Sequence, residues 1–212
     1  MSQPGIKKFS DWNELYHNDN EVEKLPWYYE GLDNDLEEEI RLLGVRDGRF
    51  LDIGTGPGTQ ALQLSKIGFS VTGTDISESA IKRARQLSNK VNFMVDNILE
   101  TQLNEEAFDF IFDRGCFHVL APEKRTDYVK TVHKTLAKDG FLFLKCFSIT
   151  EPMTEGPYKF SAEDISSLFT RYFIISKIKE TVYQGTLETW PRALFVVMKK
   201  KVIVIIVFRS PA

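Results

Sequence analysis

The stretch that most constrains this chain is Phe50-Leu51-Asp52-Ile53-Gly54-Thr55-Gly56-Pro57-Gly58-Thr59. Phe50, Leu51 and Ile53 read as a buried strand that stops at a glycine-rich turn. Ala61, Leu62, Leu64 and Ile67 then recur at roughly helical spacing up to Gly68. Strand, glycine turn and helix in immediate succession open a βαβ nucleotide-binding unit. Glycines there let a ligand approach the backbone and supply torsions that a side chain forbids. A second apolar strand over residues 71–74 ends in Asp75, where a carboxylate can take both hydroxyls of a ribose.

The alternation continues along the chain. Ser77 caps a helix through Ala80, Ile81, Ala84 and Leu87. Strands over 91–95 and 108–112 are followed by Asp96 and Asp113. Pro122 opens a helix with Tyr128, Val129, Val132 and Leu136 inward, stopping near Gly140. Residues 141–147 are almost continuously apolar, as a buried parallel strand should be. A helix from Ser161 or Ala162 carries Ile165, Leu168 and Phe169 inward. Two late strands, 173–178 and 194–198, have no long helix between them, so they can pair antiparallel. Strands alternating with helices predict a doubly wound α/β fold with a mostly parallel sheet.

Ahead of this core, Trp12, Tyr16, Trp27, Tyr28 and Tyr29 make the first thirty residues too aromatic for a disordered tail. They either cover the side of the core or form a lid over a ligand. Asp33 or Asn34 then caps a helix bearing Leu36, Ile40 and Leu43, closed by Gly44. The expected organisation is one domain over 1–201, with 1–44 as the lid segment. The apolar tail 202–212 reads as a strand or a disordered appendage, far too short to span a bilayer.

Composition matters here mainly for what it excludes. A length of 212 residues holds one full core, and a net charge of −3 leaves no general nucleic-acid footprint. Cys116 and Cys146 form neither a disulfide framework nor a metal spacing, and no histidine–cysteine cluster suggests a metal. The chain opens with no secretory signal, so a cytoplasmic protein without membrane or nucleic-acid partners is expected.

Asp52, Asp75, Asp96 and Asp113 lie at or beside the carboxyl ends of the first four strands, the edge where open α/β sheets bind ligands. Each alone is an ordinary turn residue; four in succession point to a site. The dinucleotide pattern G-x-G-x-x-G fails at Thr59, leaving G-x-G-x-G with an acid just upstream. A pyrophosphate on this turn would face Asp52 unfavourably. A cofactor with a ribose, an adenine and a cationic end suits it better, and S-adenosylmethionine is such a molecule.

Over residues 48–147 the sequence resembles the class I S-adenosylmethionine-dependent methyltransferases. That resemblance implies that Gly54, Gly56 and Gly58 carry the amino-acid part of S-adenosyl-L-methionine and that Asp75 takes the ribose hydroxyls, with Ile76 beside the adenine. Asp96 would accept from the adenine amino group, with Asn97 and Ile98 flanking the ring. It also implies a Rossmann-like sheet of seven strands, ordered 3-2-1-4-5-7-6 with strand 7 antiparallel. Asp113-Arg114-Gly115, Gly156-Pro157-Tyr158 and residues 73–80 are similar to the thiopurine, thiol and halide methyltransferases. Trp12, Tyr16 and Pro26-Trp27 are similar to that group and to the tellurite-resistance methyltransferases. By this likeness the amino-terminal segment closes over cofactor and substrate, and Trp27 lines the site.

Methyl transfer from a sulfonium asks the protein mainly to align donor and acceptor. Arg114 can hold an anionic substrate or favour a thiolate; equally, it can pair with a nearby carboxylate. His118 is either a general base or a packed histidine. Tyr158, Trp190 and Arg192, with Trp12 and Tyr16, are candidates to line the acceptor pocket, and Cys116 reads as packing. A small-molecule acceptor, a thiol or another soft nucleophile, is the first expectation, on a monomer or homodimer. A cofactor-binding module without catalysis is the second, and a nicotinamide-dependent oxidoreductase the third.

Overall fold

The computed structural model describes residues 11–17 and 22–202. Its strands are β1 (Arg49–Ile53), β2 (Ser70–Asp75), β3 (Asn92–Val95), β4 (Phe108–Arg114), β5 (Leu136–Ser148), β6 (Lys159–Phe160), β7 (Phe173–Val182) and β8 (Arg192–Lys200). They form one sheet in the order β3-β2-β1-β4-β5-β8-β7, with the short β6 pairing off β5. Strands β1 to β5 run parallel, and β8 is antiparallel to both β5 and β7. This is the doubly wound, Rossmann-like order expected, with the last strand inserted antiparallel; β6 is an addition.

The helices are α1 (Trp12–His17), α2 (Asn34–Leu43), α3 (Thr59–Lys66), α4 (Glu78–Leu87), α5 (Arg125–Thr135) and α6 (Ala162–Phe169). Local chemistry sets their ends. Asp33 accepts from the backbone N–H groups of Asp35 and Leu36 to start α2, and left-handed Gly44 ends it. Ser77 caps α4, and Ser161 forms a reciprocal capping box with Asp164 at α6.

One boundary departs from the sequence reading. A helix running on toward Gly140 was expected, yet α5 ends at Thr135 and β5 begins at Leu136. Leu136 pairs with Phe108, and the register then jumps so that Phe110 faces Phe141. The extra residues form an irregular bulge with Asp139 at φ +64°. Asp-Gly reads as a stop signal in sequence, and here it serves as a bulge inside a strand.

Apolar side chains pack on both faces of the sheet. Leu51, Ile111, Leu142 and Val196 meet α5 and α6 on one side. Phe50, Phe112, Phe143 and Phe195 meet α2, α3 and α4 on the other. On that second face Phe50, Phe110, Phe143 and Phe195 stack across four adjacent strands at centroid separations of 5.3, 6.4 and 6.4 Å. Such cross-strand pairs fix register as well as burying area. The rigid sheet delivers the carboxyl ends of β1, β2, β3 and β4 to one edge.

Candidate active site

At that edge lies a cavity of about 570 Å³. Its floor is the turn between β1 and α3. Gly54, Gly56 and Gly58 all have positive φ, at +66°, +54° and +87°. The turn is also tightly enclosed: a Cβ on Gly54 would meet the Cys116 side chain at 3.0 Å, and one on Gly56 the Tyr16 hydroxyl at 2.9 Å. The backbone N–H of Gly56 donates to Asp75 (2.9 Å), and the Thr55 hydroxyl donates to Asp52 (2.6 Å).

Of the residues predicted for the cofactor, Trp27, Asp52, Gly54, Gly56, Asp75, Ile76, Asp96, Asn97 and Ile98 line the cavity. Burial pushes the Asp52 carboxyl up to about 7, with the Thr55 hydroxyl pulling the other way. Burial raises Asp75 too, offset by backbone N–H donors from Ser77 and Gly56. Asp96 accepts from Thr101 Oγ1 (2.6 Å) and the Gln102 backbone, so it also orders its own loop. Ile76 is 54% exposed although apolar, a wall awaiting a flat partner.

Gly58 and Asp113 do not line the cavity. Gly58 starts α3, and a Cβ there would strike Ala84 and Phe93 at 2.8 Å. Its role is to let the helix approach α4 and β3. Asp113 is fully buried behind the loop after β4. Its oxygens accept from the backbone of Gly115, Cys116 and Phe117 and from the Tyr128 hydroxyl (2.5 Å). Burial raises it to about 6. It shapes that loop from below.

Trp27, Phe147, Tyr183, Leu187 and Pro191 also line the cavity, and the first three pack as one aromatic cluster. Trp12 and Tyr16 line the cavity as well: the Trp12 ring meets Trp27 edge-on at 6.3 Å, and the Trp27 indole N–H donates to Tyr16 Oη at 3.1 Å. Tyr158, Trp190 and Arg192 stay outside. The Tyr158 ring sits under the Arg125 guanidinium (4.4 Å), Trp190 donates to the Gly185 carbonyl, and Arg192 donates to Glu151 and to the Thr150 carbonyl. None of the three lines the cavity.

Arg114 and His118 do reach the cavity. The Arg114 guanidinium is spent: it donates to Asp33 Oδ2 (3.0 Å), the Trp27 carbonyl (3.1 Å) and the Gln184 carbonyl, and it lies 4.4 Å over the Tyr183 ring. Its ion-pair reading holds, and its contact with an anionic substrate would require breaking buried bonds. His118 is buried, and desolvation with the Arg114 charge lowers its pKa to about 3. A general base with so little proton affinity is ineffective at neutral pH. Burial, then Asp113 and Asp75, keep the Cys116 thiol protonated.

Tyr183 and a buried network behind the cavity wall escaped the sequence reading. Lys145 is fully buried in β5 and reaches Asp33 (2.7 Å), Asp35 (2.7 Å) and Gln184 (2.9 Å). Its signal was visible: a lysine inside Phe141-Leu142-Phe143-Leu144-Lys145-Cys146-Phe147 demands buried partners. Tyr183, Gln184 and Gly185 carried no such signal. A Cβ on Gly185 would fall 1.9 Å from the Pro26 carbonyl, which marks how closely the β7–β8 loop meets the amino-terminal segment.

Asp52, Asp75 and Asp96 meet no lysine or arginine in an ion pair among the described residues. An acid-lined cleft beside the glycine turn disfavours phosphate and fits a cation that carries a diol. The site therefore suits S-adenosylmethionine. Among the described residues no group of histidine, cysteine, aspartate or glutamate is placed to hold a metal, and no helix is long and apolar enough to cross a membrane.

Fold and cleft together are those of a Rossmann-like protein with an acid-lined nucleoside site. Residues 50–140 match the methyltransferase domain family. An uncharacterized methyltransferase of Schizosaccharomyces pombe is 34% identical over 112 residues, 51% of this chain and 77% of that protein. The chain belongs to the S-adenosylmethionine-dependent methyltransferases and is an enzyme of that class. Human EEF1A lysine methyltransferase 2 is 34% identical over 46% of this chain, and thiocyanate methyltransferase 1 of Arabidopsis thaliana 31% over 53%. The chain spans about half the length of each of these two, 47% and 52%. Among solved structures, a Burkholderia thailandensis 1,6-didemethyltoxoflavin-N1-methyltransferase with bound S-adenosylhomocysteine superposes with TM-score 0.70 at 20% identity, covering 90% of this chain and 86% of that one.

Proposed function

We propose that the protein methylates a small molecule through a soft nucleophile, a thiol first. In this reading Asp75 takes the ribose hydroxyls and Ile76 packs on the adenine, with Asp96, Asn97 and Ile98 at its edge. Gly54 and Gly56 run along the amino-acid part, whose ammonium sits toward Asp52. The cofactor, when bound, supplies a methyl group already activated by a positive sulfur. The chain's residues then align an acceptor against it and exclude water.

The observation that carries the acceptor class is that, among the described residues, none beside the Trp27, Phe147 and Tyr183 wall is a usable base. Arg114 is spent, Cys116 is a thiol, and His118 is neutral with little affinity for a proton. A thiolate forms in water on its own and needs none, whereas an alkylammonium must lose a proton first. Size agrees. A cavity of about 570 Å³ lies within the range of roughly 300–1,000 Å³ that houses one drug-sized ligand. The thiocyanate methyltransferase relative, named for a sulfur acceptor, points the same way.

A second reading, a lysine side chain of a protein, is favoured by the EEF1A lysine methyltransferase relative. Isotope-labelled S-adenosylmethionine, offered with thiophenol and with lysine-bearing translation factor in one mixture, separates the two. Label in methyl phenyl sulfide and none in protein is expected. Label in protein alone would select the second reading.

A further inference from the structure

His118 lines the cavity beside the aromatic rings of Phe147 and Tyr183. Phe147 meets its ring edge-on at 5.1 Å, and Tyr183 lies nearly parallel at 5.7 Å. Gly115 brings its backbone close enough that a Cβ would come 3.3 Å from Nε2. All three neighbours line the cavity, as His118 does. The Phe147 backbone N–H donates to Nδ1 at 3.3 Å. An imidazole that accepts at Nδ1 while neutral carries its proton on Nε2. Burial and the Arg114 charge keep it neutral.

The other strong donors around it are committed. Tyr183 gives its hydroxyl proton to the Arg114 carbonyl (2.6 Å), and Arg114 donates to Asp33, Trp27 and Gln184. The only hydrogen bond of the His118 ring among the described residues is the one at Nδ1. The Nε2–H is thus an uncommitted donor in an aromatic pocket. Nε2 is not among the buried polar atoms left without a partner in the described residues, so it opens onto the cavity, where an acceptor atom of a ligand can meet it.

We propose that His118 is a specificity-determining residue: a fixed neutral donor whose Nε2–H bonds the lone-pair or thiolate atom of the acceptor and surrenders no proton. The proposal rests on the small soft-acceptor reading. It assigns to this histidine recognition of the nucleophile in place of acid–base work. It also selects among acceptors: an aromatic thiolate that stacks on Phe147 and Tyr183 and accepts from Nε2 fits, while an isosteric hydrocarbon fits the walls alone.

The test is binding to the full-length protein saturated with S-adenosylhomocysteine. Thiophenol is compared with toluene, its isostere without an accepting atom, for the wild type, His118→Phe and His118→Gln. Expected is a preference for thiophenol of about tenfold or more in the wild type, since a hydrogen bond to an anion is worth about 1.5–3 kcal/mol. His118→Phe should abolish the preference with S-adenosylhomocysteine affinity unchanged, and His118→Gln, which keeps an N–H, should retain part of it. An undiminished preference in His118→Phe would overturn the proposal. Binding of neither compound to the wild type would overturn the soft-acceptor reading, and the proposal with it. Nitrogen-15 spectra of wild-type His118 decide independently of folding in the variants. A proton on Nε2 from pH 5 to 8 that shifts on adding thiophenol upholds the donor role, and a proton on Nδ1 contradicts it.

Discussion

A carboxylate that is almost fully buried resists ionisation, and burial holds Asp52 up to about 7 against the opposing pull of the Thr55 hydroxyl and the Ala61 backbone N–H. Its ordinary value is about 3.9. Between those limits the folded chain holds a proton that the unfolded chain has released. Stability therefore falls as pH rises from about 4 to 7, and the loss is complete above the folded value. The ceiling on that loss is about 4 kcal/mol, at 1.36 kcal/mol per unit. Asp52→Asn should raise the melting temperature at pH 8, leave it unchanged at pH 4, and weaken S-adenosylhomocysteine by at least about tenfold, because the ammonium loses its counter-charge. Calorimetric scans at the two pH values with a titration of the ligand check this. A variant that is no more stable at pH 8 would mean that Asp52 is not strained in the free protein. Asp113 was grouped with Asp52 in the sequence reading, since both follow apolar strands. What separates them is three-dimensional: the loop after β4 folds back over Asp113 and takes both its oxygens.

At the scale of elements, the glycine turn was legible because it obeys local rules. Its strand, its turn and its helix each carry their own signal, and the ligand-facing residues fall between them. Gly58 shows the limit of that legibility. It belongs to the same motif, yet what it makes room for is Ala84 and Phe93, residues that no local pattern connects to it. Gly58→Ala should cost about 2 kcal/mol or more, from the left-handed torsion and the clash, and lower cofactor affinity as α3 shifts. Chemical denaturation measures the first effect. A change below about 0.5 kcal/mol would show that α3 yields freely.

The buried network behind the cavity wall was the least legible part, for a related reason. Arg114, Lys145, Asp33 and Gln184 are far apart in the chain and meet only because β4, β5, the start of α2 and the β7–β8 loop converge. Read singly, Asp33 was a helix cap, which it also is. The network anchors the Trp27 carbonyl and so ties the amino-terminal segment to the wall. Trp190 and Arg192 were close in sequence to a true lining residue, Pro191, and alternation along the strand start turned both outward.

Across the whole molecule, strand order follows from the alternation of elements and the missing crossover helix between the last two strands, so the sheet was readable in outline. The sheet in turn fixes the site at one edge, and the acids at that edge fix the kind of ligand. A nicotinamide dinucleotide, with its pyrophosphate, is the natural competitor for such a cleft, and Asp52 beside the glycine turn opposes it. Thermal unfolding of the full chain with each ligand tests this most directly. S-adenosylhomocysteine at about a hundred times its dissociation constant should add roughly 2.7 kcal/mol. For a chain of this size that is a rise in melting temperature of roughly 5–10 °C, with none from NAD at the same concentration. No rise with millimolar S-adenosylhomocysteine, or an equal rise with NAD, would contradict the account.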